Sequence, residues 1–127
     1  MAKARKTLRL RIPAYKAPRN DWRRKISGIA MAEAEKRGVT YTSADRLEVT
    51  VRLYMDEASL RSHDVDNRLK DVLDSLQGRA GGPKTTKSLP VLIPNDWQVF
   101  RVVVEKGKPP KQSHGLGHVT IRKLGRR

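Results

Sequence analysis

The sequence has 127 residues, which suits one domain with a modest hydrophobic core and is too short for two. It carries 28 Lys and Arg against 13 Asp and Glu, a formal net charge of +15 at pH 7. An excess of this size is usually compensated by a polyanion, so nucleic-acid binding is the first expectation and a merely solubilising surface is the alternative. Cysteine is absent, which excludes disulfides and thiolate zinc sites. No segment reaches the ~20 apolar residues of a membrane helix, so a cytoplasmic protein without membrane contact is the default expectation.

The first half of the chain predicts a strand, a helix and a second strand. Alternating apolar residues predict a strand over Thr7 to Ile12. A helix is expected to run to about Arg37 from a cap at Asn20 or Asp21. A strict alternation from Leu47 to Tyr54 predicts the second strand.

The second half predicts a short helix, two basic loops and two more strands. Apolar spacing indicates a helix over Asn67 to Leu76, and the β-branched run Val99 to Val104 indicates a well-buried strand. A last strand is expected near His118 to Leu124. Stretches near 78–95 and 106–117 are rich in Gly and Lys and are expected to be mobile loops. The whole chain is therefore predicted as one α+β domain, in which a mixed sheet of about four strands packs with two helices in the order βαβαββ.

The segment with the most chemical information begins at Asp64 and reads Asp-Val-Asp-Asn-Arg-Leu-Lys. In an extended segment, residues two apart point the same way, so Asp64 and Asp66 are expected to converge on one point. A divalent cation between two such carboxylates relieves their repulsion, and oxygen ligands without His or Cys suit Mg²⁺ or Mn²⁺. Lys70 lies four residues after Asp66 and would share its helix face, within reach of a phosphate bound there.

A purely structural interpretation of these residues is also open. An Asp directly before a helix is usually an N-cap, and Asp66, Lys70 and Asp74 fit an ordinary ladder of ion pairs at i, i+4 spacing. Asp96 opens the strand at Val99, where it either completes a three-carboxylate site with the earlier pair or is a turn residue bonded to its own backbone.

Together, the pattern Asp-x-Asp-Asn-x-x-Lys-x-x-x-Asp from Asp64 and the pattern Asp-x-Gln-Val from Asp96 resemble the RusA family of Holliday junction resolvases. The order of the elements extends the resemblance to nearly the whole chain. It implies that Asp64, Asp66 and Asp96 are catalytic metal ligands and that Lys70 is the catalytic lysine. The stretch before Asp96 is longer than in typical members, and Asn95 stands where a second acidic residue often precedes it.

The resemblance also implies a partner, a cofactor and a reaction. The expected protein is a homodimer that nicks four-way DNA junctions in recombination and repair, with Mg²⁺ or Mn²⁺ as cofactor, in a bacterial cell or encoded by a phage and associated with the nucleoid. The reaction would be phosphodiester hydrolysis at the carboxylates, with Lys70 stabilising a phosphate oxygen or the leaving group. Further DNA contacts are expected from six residues: Asn67, Arg68, Lys84, Lys87, Arg23 and Arg24.

Two rival functions remain open from the sequence. In the first, the chain is a non-catalytic nucleic-acid-binding module in which Arg9, Arg11 and other arginines hold phosphates and the aspartates only cap helices. In the second, it is a nuclease of restriction-like fold, which is the weaker rival because Glu105-Lys106 does not give the Glu-x-Lys spacing of such sites. Trp22 is expected in the core, whereas Trp97 is left open.

Overall fold

Apolar residues that alternate along four segments of the chain form one buried face of a single sheet. The structure is a computed structural model, and it describes residues 7–80, 89–113 and 116–125. The sheet consists of β1 (Thr7–Ile12), β2 (Leu47–Tyr54), β3 (Val99–Gly107) and β4 (Gly117–Lys123). Three α-helices accompany it, namely α1 (Arg19–Arg37), α2 (Glu57–Ser62) and α3 (Val65–Leu76). The predicted α+β fold with a mixed sheet of four strands is confirmed, with one helix more than expected.

The strands follow the order β1-β4-β2-β3. β4 pairs antiparallel with β1 and with β2, while β3 pairs parallel with β2, so β1, β2 and β3 run in the same direction. We call the edge at which these three strands begin the N-terminal edge of the sheet, and the edge at which they end the C-terminal edge. The parallel pair β2 and β3 is joined by a long connection that contains α2 and α3, as parallel pairing requires.

The core lies between the sheet and the helices α1 and α3. A period of two places the apolar side chains of each strand on one face, where Val49 and Ile121 are fully buried. Trp22 of α1 and Val72 of α3 close the other side of this core. The indole Nε1 of Trp22 donates a hydrogen bond to the carbonyl oxygen of Pro13 at 2.9 Å, so burial of the ring leaves its one donor satisfied.

The helices differ from the predictions mainly at their starts. α1 has Pro18 rather than Asn20 or Asp21 as its N-cap, and the Pro18 carbonyl accepts the backbone N–H of Asp21 at 3.1 Å. α3 begins at Val65, two residues before the predicted start. α2 was not predicted, because its six residues bury no side chain and carry no apolar periodicity. None of the helices in the described ranges is both long and apolar enough to cross a bilayer.

The prediction that β3 is well buried is wrong. β3 is the last strand in the order of the sheet, and no described strand lies beyond it. Phe100 and Val102 are 58% and 38% exposed. A β-branched, apolar run indicates a strand but does not distinguish a central strand from an edge strand. Among the described residues, the outer side of β3 therefore has no strand that pairs with its backbone groups, and it carries apolar side chains, a combination that favours pairing with another chain.

The face of the sheet opposite to the helices is polar and rich in arginine. Glu48 of β2 is 6% exposed there and accepts hydrogen bonds from Arg122 of β4 and Arg101 of β3. The Arg122 guanidinium, with a smaller effect from Arg101, holds the pKa of Glu48 below its usual value against the opposite effect of burial. Because this pKa is lowered, the ion pairs of Glu48 stabilise the fold at neutral pH, and their contribution is lost only as the pH falls below the ordinary range of a glutamate.

Gly117 marks the closest approach of β4 to β2. A Cβ at this position would lie 2.4 Å from the carbonyl oxygen of Arg52. We expect Gly117→Ala to push the two strands apart and to lower the free energy of unfolding by about 1–3 kcal/mol. The matched control is Gly28→Ala in α1, where the added methyl group meets nothing within 4 Å and should raise that free energy by about 0.5–1 kcal/mol. Urea unfolding of both variants measures these changes, and a shift of the same sign in both would contradict the argument.

Candidate active site

Asp64 and Asp66 lie exposed at the start of α3. Asp64 is the N-cap, with an extended backbone (φ −78°, ψ 136°), and its side chain makes no capping hydrogen bond. Asp66 is the second residue of the helix, and its Oδ1 accepts the backbone N–H of Asn67 at 3.1 Å. The prediction that both aspartates lie in one extended segment is wrong, because α3 begins between them. Both carboxylates are nevertheless presented to solvent at the same end of one helix.

Lys70 is exposed one turn after Asp66 on α3. Asp74, a further turn along, points toward α1, where its Oδ2 lies 3.1 Å from a guanidinium nitrogen of Arg23. Within the described residues, neither Asp66 nor Lys70 forms an ion pair. The ladder of ion pairs that was the structural alternative for these residues is therefore not formed, and the side chains of Asp66 and Lys70 can act on a ligand.

α3 is held in place by a buried carboxylate. Asp71 is 0% exposed, and its Oδ1 lies 3.0 Å from Nε of Arg19 and 2.9 Å from a terminal nitrogen of Arg23, both on α1. Its Oδ2 lies 3.3 Å from Nε of Arg68, one turn earlier on α3. A buried carboxylate needs such partners, because an unpaired charge in the interior costs several kcal/mol. The network fixes α3 against α1 and thereby fixes where Asp64 and Asp66 emerge.

Three rings connect this network to the first aspartate. The guanidinium carbon of Arg68 lies 3.7 Å from the centroid of the Tyr15 ring, which is a cation–π contact. Tyr15 also meets Trp22 and His63 edge to face, at centroid distances of 5.2 and 5.3 Å. His63 directly precedes Asp64, so the loop after β1 supports the start of α3.

The expected DNA-contact residues separate into three groups. Arg23 and Arg68 are 7% and 8% exposed and are committed to Asp71, a geometry that suits a structural role. Asn67 and Arg24 are exposed, and Arg24 pairs with the exposed Asp21 at 2.8 Å. Two more expected contacts lie outside the described residues, namely Lys84 and Lys87.

Lys106 is a residue of this region that the sequence analysis did not single out. It lies near the end of β3, and its Nζ donates to the carbonyl oxygen of His63 at 2.8 Å and to that of Leu60. These bonds tie the turn between α2 and α3 to the C-terminal edge of the sheet. The alternation of β3 could have indicated this role from the sequence. It puts Lys106 on the same side as Val102 and Val104, which is the side that faces the helices.

Asp96 opens one turn of 3-10 helix just before β3, and both Asp96 and Trp97 are exposed, Trp97 by 64%. Gln98 in the same turn is fully buried, and its Nε2 donates to the carbonyl oxygens of Thr42 and Asp45 at 2.7 and 2.9 Å. Its Oε1 accepts the backbone N–H of Asn95 at 2.9 Å. Gln98 therefore anchors the turn that carries Asp96, which gives a structural reason for a glutamine at this place.

The three candidate carboxylates lie at opposite edges of the sheet. Asp64 follows His63, which Lys106 contacts at the C-terminal edge, whereas Asp96 precedes Val99 at the N-terminal edge. The seven steps of β3 from Val99 to Lys106 span about 23 Å at about 3.3 Å per residue. Accordingly, no group of three or more Asp, Glu or His side chains that could hold a metal ion is found in the described part of one chain.

These carboxylates share with Glu35 the lack of any ion pair or capping bond to a described residue. Asp64, Asp66 and Asp96 form no ion pair with any residue in the described ranges, in a chain of formal charge +15. Eight other acidic side chains pair with Lys or Arg, namely Asp21, Glu33, Asp45, Glu48, Glu57, Asp71, Asp74 and Glu105. Asp56 instead accepts a capping hydrogen bond from the backbone N–H of Ser59. Oxygen donors without an internal cation suit a hard external ion such as Mg²⁺.

Comparison with known proteins adds no relative: no protein-family model matches the chain, and no curated protein matches it. The motif residues and their geometry are therefore what indicates a function for this chain.

The Asp71 network gives a test of what holds α3. We expect Asp71→Ala to lower the free energy of unfolding by about 3–5 kcal/mol, because the buried guanidinium group of Arg68 loses its counter-charge and that of Arg23 keeps only Asp74. The control, Asp21→Ala, removes an exposed ion pair with Arg24 and should change it by less than about 1 kcal/mol. Chemical unfolding followed by circular dichroism measures both, and similar small losses in the two variants would show that the network does not hold the helices together.

Proposed function

We propose that this protein is a metal-dependent endodeoxyribonuclease that cuts four-way DNA junctions as a homodimer. Each active site would contain Asp64 and Asp66 of one copy and Asp96 of the other. The observation that carries the proposal is the placement of three exposed carboxylates, which form no ion pair with the described residues, at the two ends of a strand that has no described neighbour on its outer side, in a chain of charge +15. The resemblance of the motifs to the RusA family supports the same reaction.

The arrangement of β3 supports a site shared between two copies. Two β3 strands that pair antiparallel about a two-fold axis would each extend the other's sheet. In that pairing, the start of one β3 lies beside the end of the other, so Asp96 of one copy approaches the Lys106 end, near Asp64 and Asp66, of its partner. The exposed Phe100 and Val102 would be covered by the same contact. Dimerisation thus removes an exposed apolar edge and brings the carboxylates together in one step.

The donor set defines what could bind and react there. Three carboxylates without His or Cys fit Mg²⁺ or Mn²⁺, and such an ion supplies an activated water and neutralises charge on the phosphate. Lys70 lies one turn from Asp66 and directs an ammonium group toward the same phosphate, where it offsets negative charge that increases during hydrolysis. Asn67, exposed between them, offers an amide donor to a neighbouring phosphate oxygen. The two-fold axis supplies two equivalent sites, as paired nicks in a symmetric junction require.

The alternative function is non-catalytic nucleic-acid binding by the polar face of the sheet. Five arginines on this face favour it: Arg9, Arg11, Arg52, Arg101 and Arg122. It predicts DNA binding without cleavage under any metal condition. A gel assay that compares four-way, three-way and linear DNA with Mg²⁺, with Mn²⁺ and with chelator separates the two functions.

The first catalytic test is Asp66→Asn. We expect the variant to lose cleavage by at least about 10³-fold with Mg²⁺, since a metal ligand is lost. Junction binding should be kept or become tighter, because a negative charge that faces phosphate is removed. Glu35→Gln is the matched control, an exposed carboxylate on α1 outside the candidate site that should leave cleavage intact. Full cleavage by Asp66→Asn would rule out the assignment of Asp66.

The second test separates a shared site from a site within one chain. Asp66→Asn and Asp96→Asn proteins, each inactive, are mixed and allowed to exchange subunits. In a heterodimer with shared sites, one site keeps all three aspartates, so nicking should return to about a quarter of the wild-type rate at random exchange. Sites within single chains would stay defective in both subunits, and no activity would return. Asp64→Asn mixed with Asp66→Asn is the control, which should stay inactive in either arrangement.

A further inference from the structure

A groove lies between the loop that follows β1 and the first two turns of α1. Its volume is about 440 Å³, which lies within the range of sites that bind small molecules or single units of a polymer. Its lining combines apolar side chains with basic ones. The residues that line it are Pro13, Ala14, Lys16, Ala17, Asp21, Trp22, Arg24 and Lys25.

The described residues neutralise the positive charge of the groove only in part. Lys16, Arg24 and Lys25 are all exposed, and Asp21 is the only acidic residue in the lining. Asp21 pairs with Arg24 at 2.8 Å, whereas Lys16 and Lys25 form no ion pair with any residue in the described ranges. Two ammonium groups beside apolar side chains suit a ligand that combines phosphate groups with less polar parts.

The position of the groove connects it with the candidate active site. Trp22, one of its lining residues, meets Tyr15 edge to face, and Tyr15 meets His63 on its other side. His63 directly precedes Asp64. The groove and the two aspartates of α3 therefore lie at the same C-terminal edge of the sheet, separated by this row of three rings.

We propose that the groove binds the phosphate backbone of a DNA strand beside the point of cleavage, and this proposal rests on the function proposed above. Phosphates would contact Lys16 and Lys25, while the sugars lie against Pro13, Ala14 and Ala17. Asp21 holds Arg24 back from the ligand and weakens the site. The groove thus determines how the strand is positioned relative to Asp64 and Asp66 without taking part in the reaction.

The test measures binding of a four-way junction oligonucleotide by the full chain in chelator, so that no cleavage occurs. Loss of two phosphate contacts in the double variant Lys16→Ala, Lys25→Ala should reduce the slope of log affinity against log salt by about 1.8. Between 50 and 200 mM salt, the affinity of the wild type should then fall about tenfold more than that of the variant. The control, Lys36→Ala with Arg37→Ala, removes two cations from the other end of α1 and should leave the slope unchanged.

A further variant is expected to strengthen junction binding instead of weakening it. Asp21→Asn releases Arg24 and should tighten junction binding by about threefold or more at low salt and steepen the salt dependence. Equal slopes for the groove variant and its control, or unchanged binding in Asp21→Asn, would overturn the groove. The readout is independent of the nuclease assignment: DNA binding with these effects but without cleavage by the wild type would remove the proposed nuclease and keep the groove. Cleavage by the wild type, together with equal salt slopes for the groove variant and its control, would keep the proposed nuclease and remove the groove. A wild type that binds no DNA would overturn both proposals.

Discussion

The buried carboxylate of Asp71 is the constraint on which the arrangement of this protein depends. It gathers the exposed guanidinium group of Arg19 and the buried ones of Arg23 and Arg68, and the buried charges are tolerated because they are paired. The same network places the guanidinium group of Arg68 over the ring of Tyr15. Tyr15 in turn contacts Trp22, which lines the groove, and His63, which precedes Asp64. One interior ion cluster therefore determines how two surface features lie relative to each other.

The parallel pairing of β2 and β3 is the second constraint on where the candidate site residues lie. It requires the chain to return from the C-terminal to the N-terminal edge through α3, so residues before and after α3 end up at opposite edges. Asp64 and Asp96 belong to these two groups. It also leaves β3 at the end of the described sheet, with the apolar side chains of Phe100 and Val102 partly exposed. Separated carboxylates and an open edge strand are thus two consequences of one topology, and a two-fold partner would resolve both.

The sequence predicts which residues belong to the candidate site but not how they are arranged in space. The spacing of Asp64, Asp66 and Lys70 depends only on local structure, and all three are exposed at the start of α3. Both aspartates were expected in an extended segment because the helix was predicted to begin at Asn67, although Val65, four residues before Leu69, fits the same apolar periodicity. The sequence also gives no indication of whether an arginine is free: Arg23 and Arg24 are neighbours, yet one is buried against Asp71 and the other is exposed.

The sequence by itself determined the elements with strong periodicity, because a period of two or of 3.6 is a local property. β1 and β2 run over the predicted residues, and Trp22 lies in the core as expected. Only the tertiary structure decided which strand lies at the edge, which charges pair in the interior and how far Asp96 lies from Asp64. These depend on strand order and helix packing, which join residues distant in the chain and leave no trace in the spacing of any one segment.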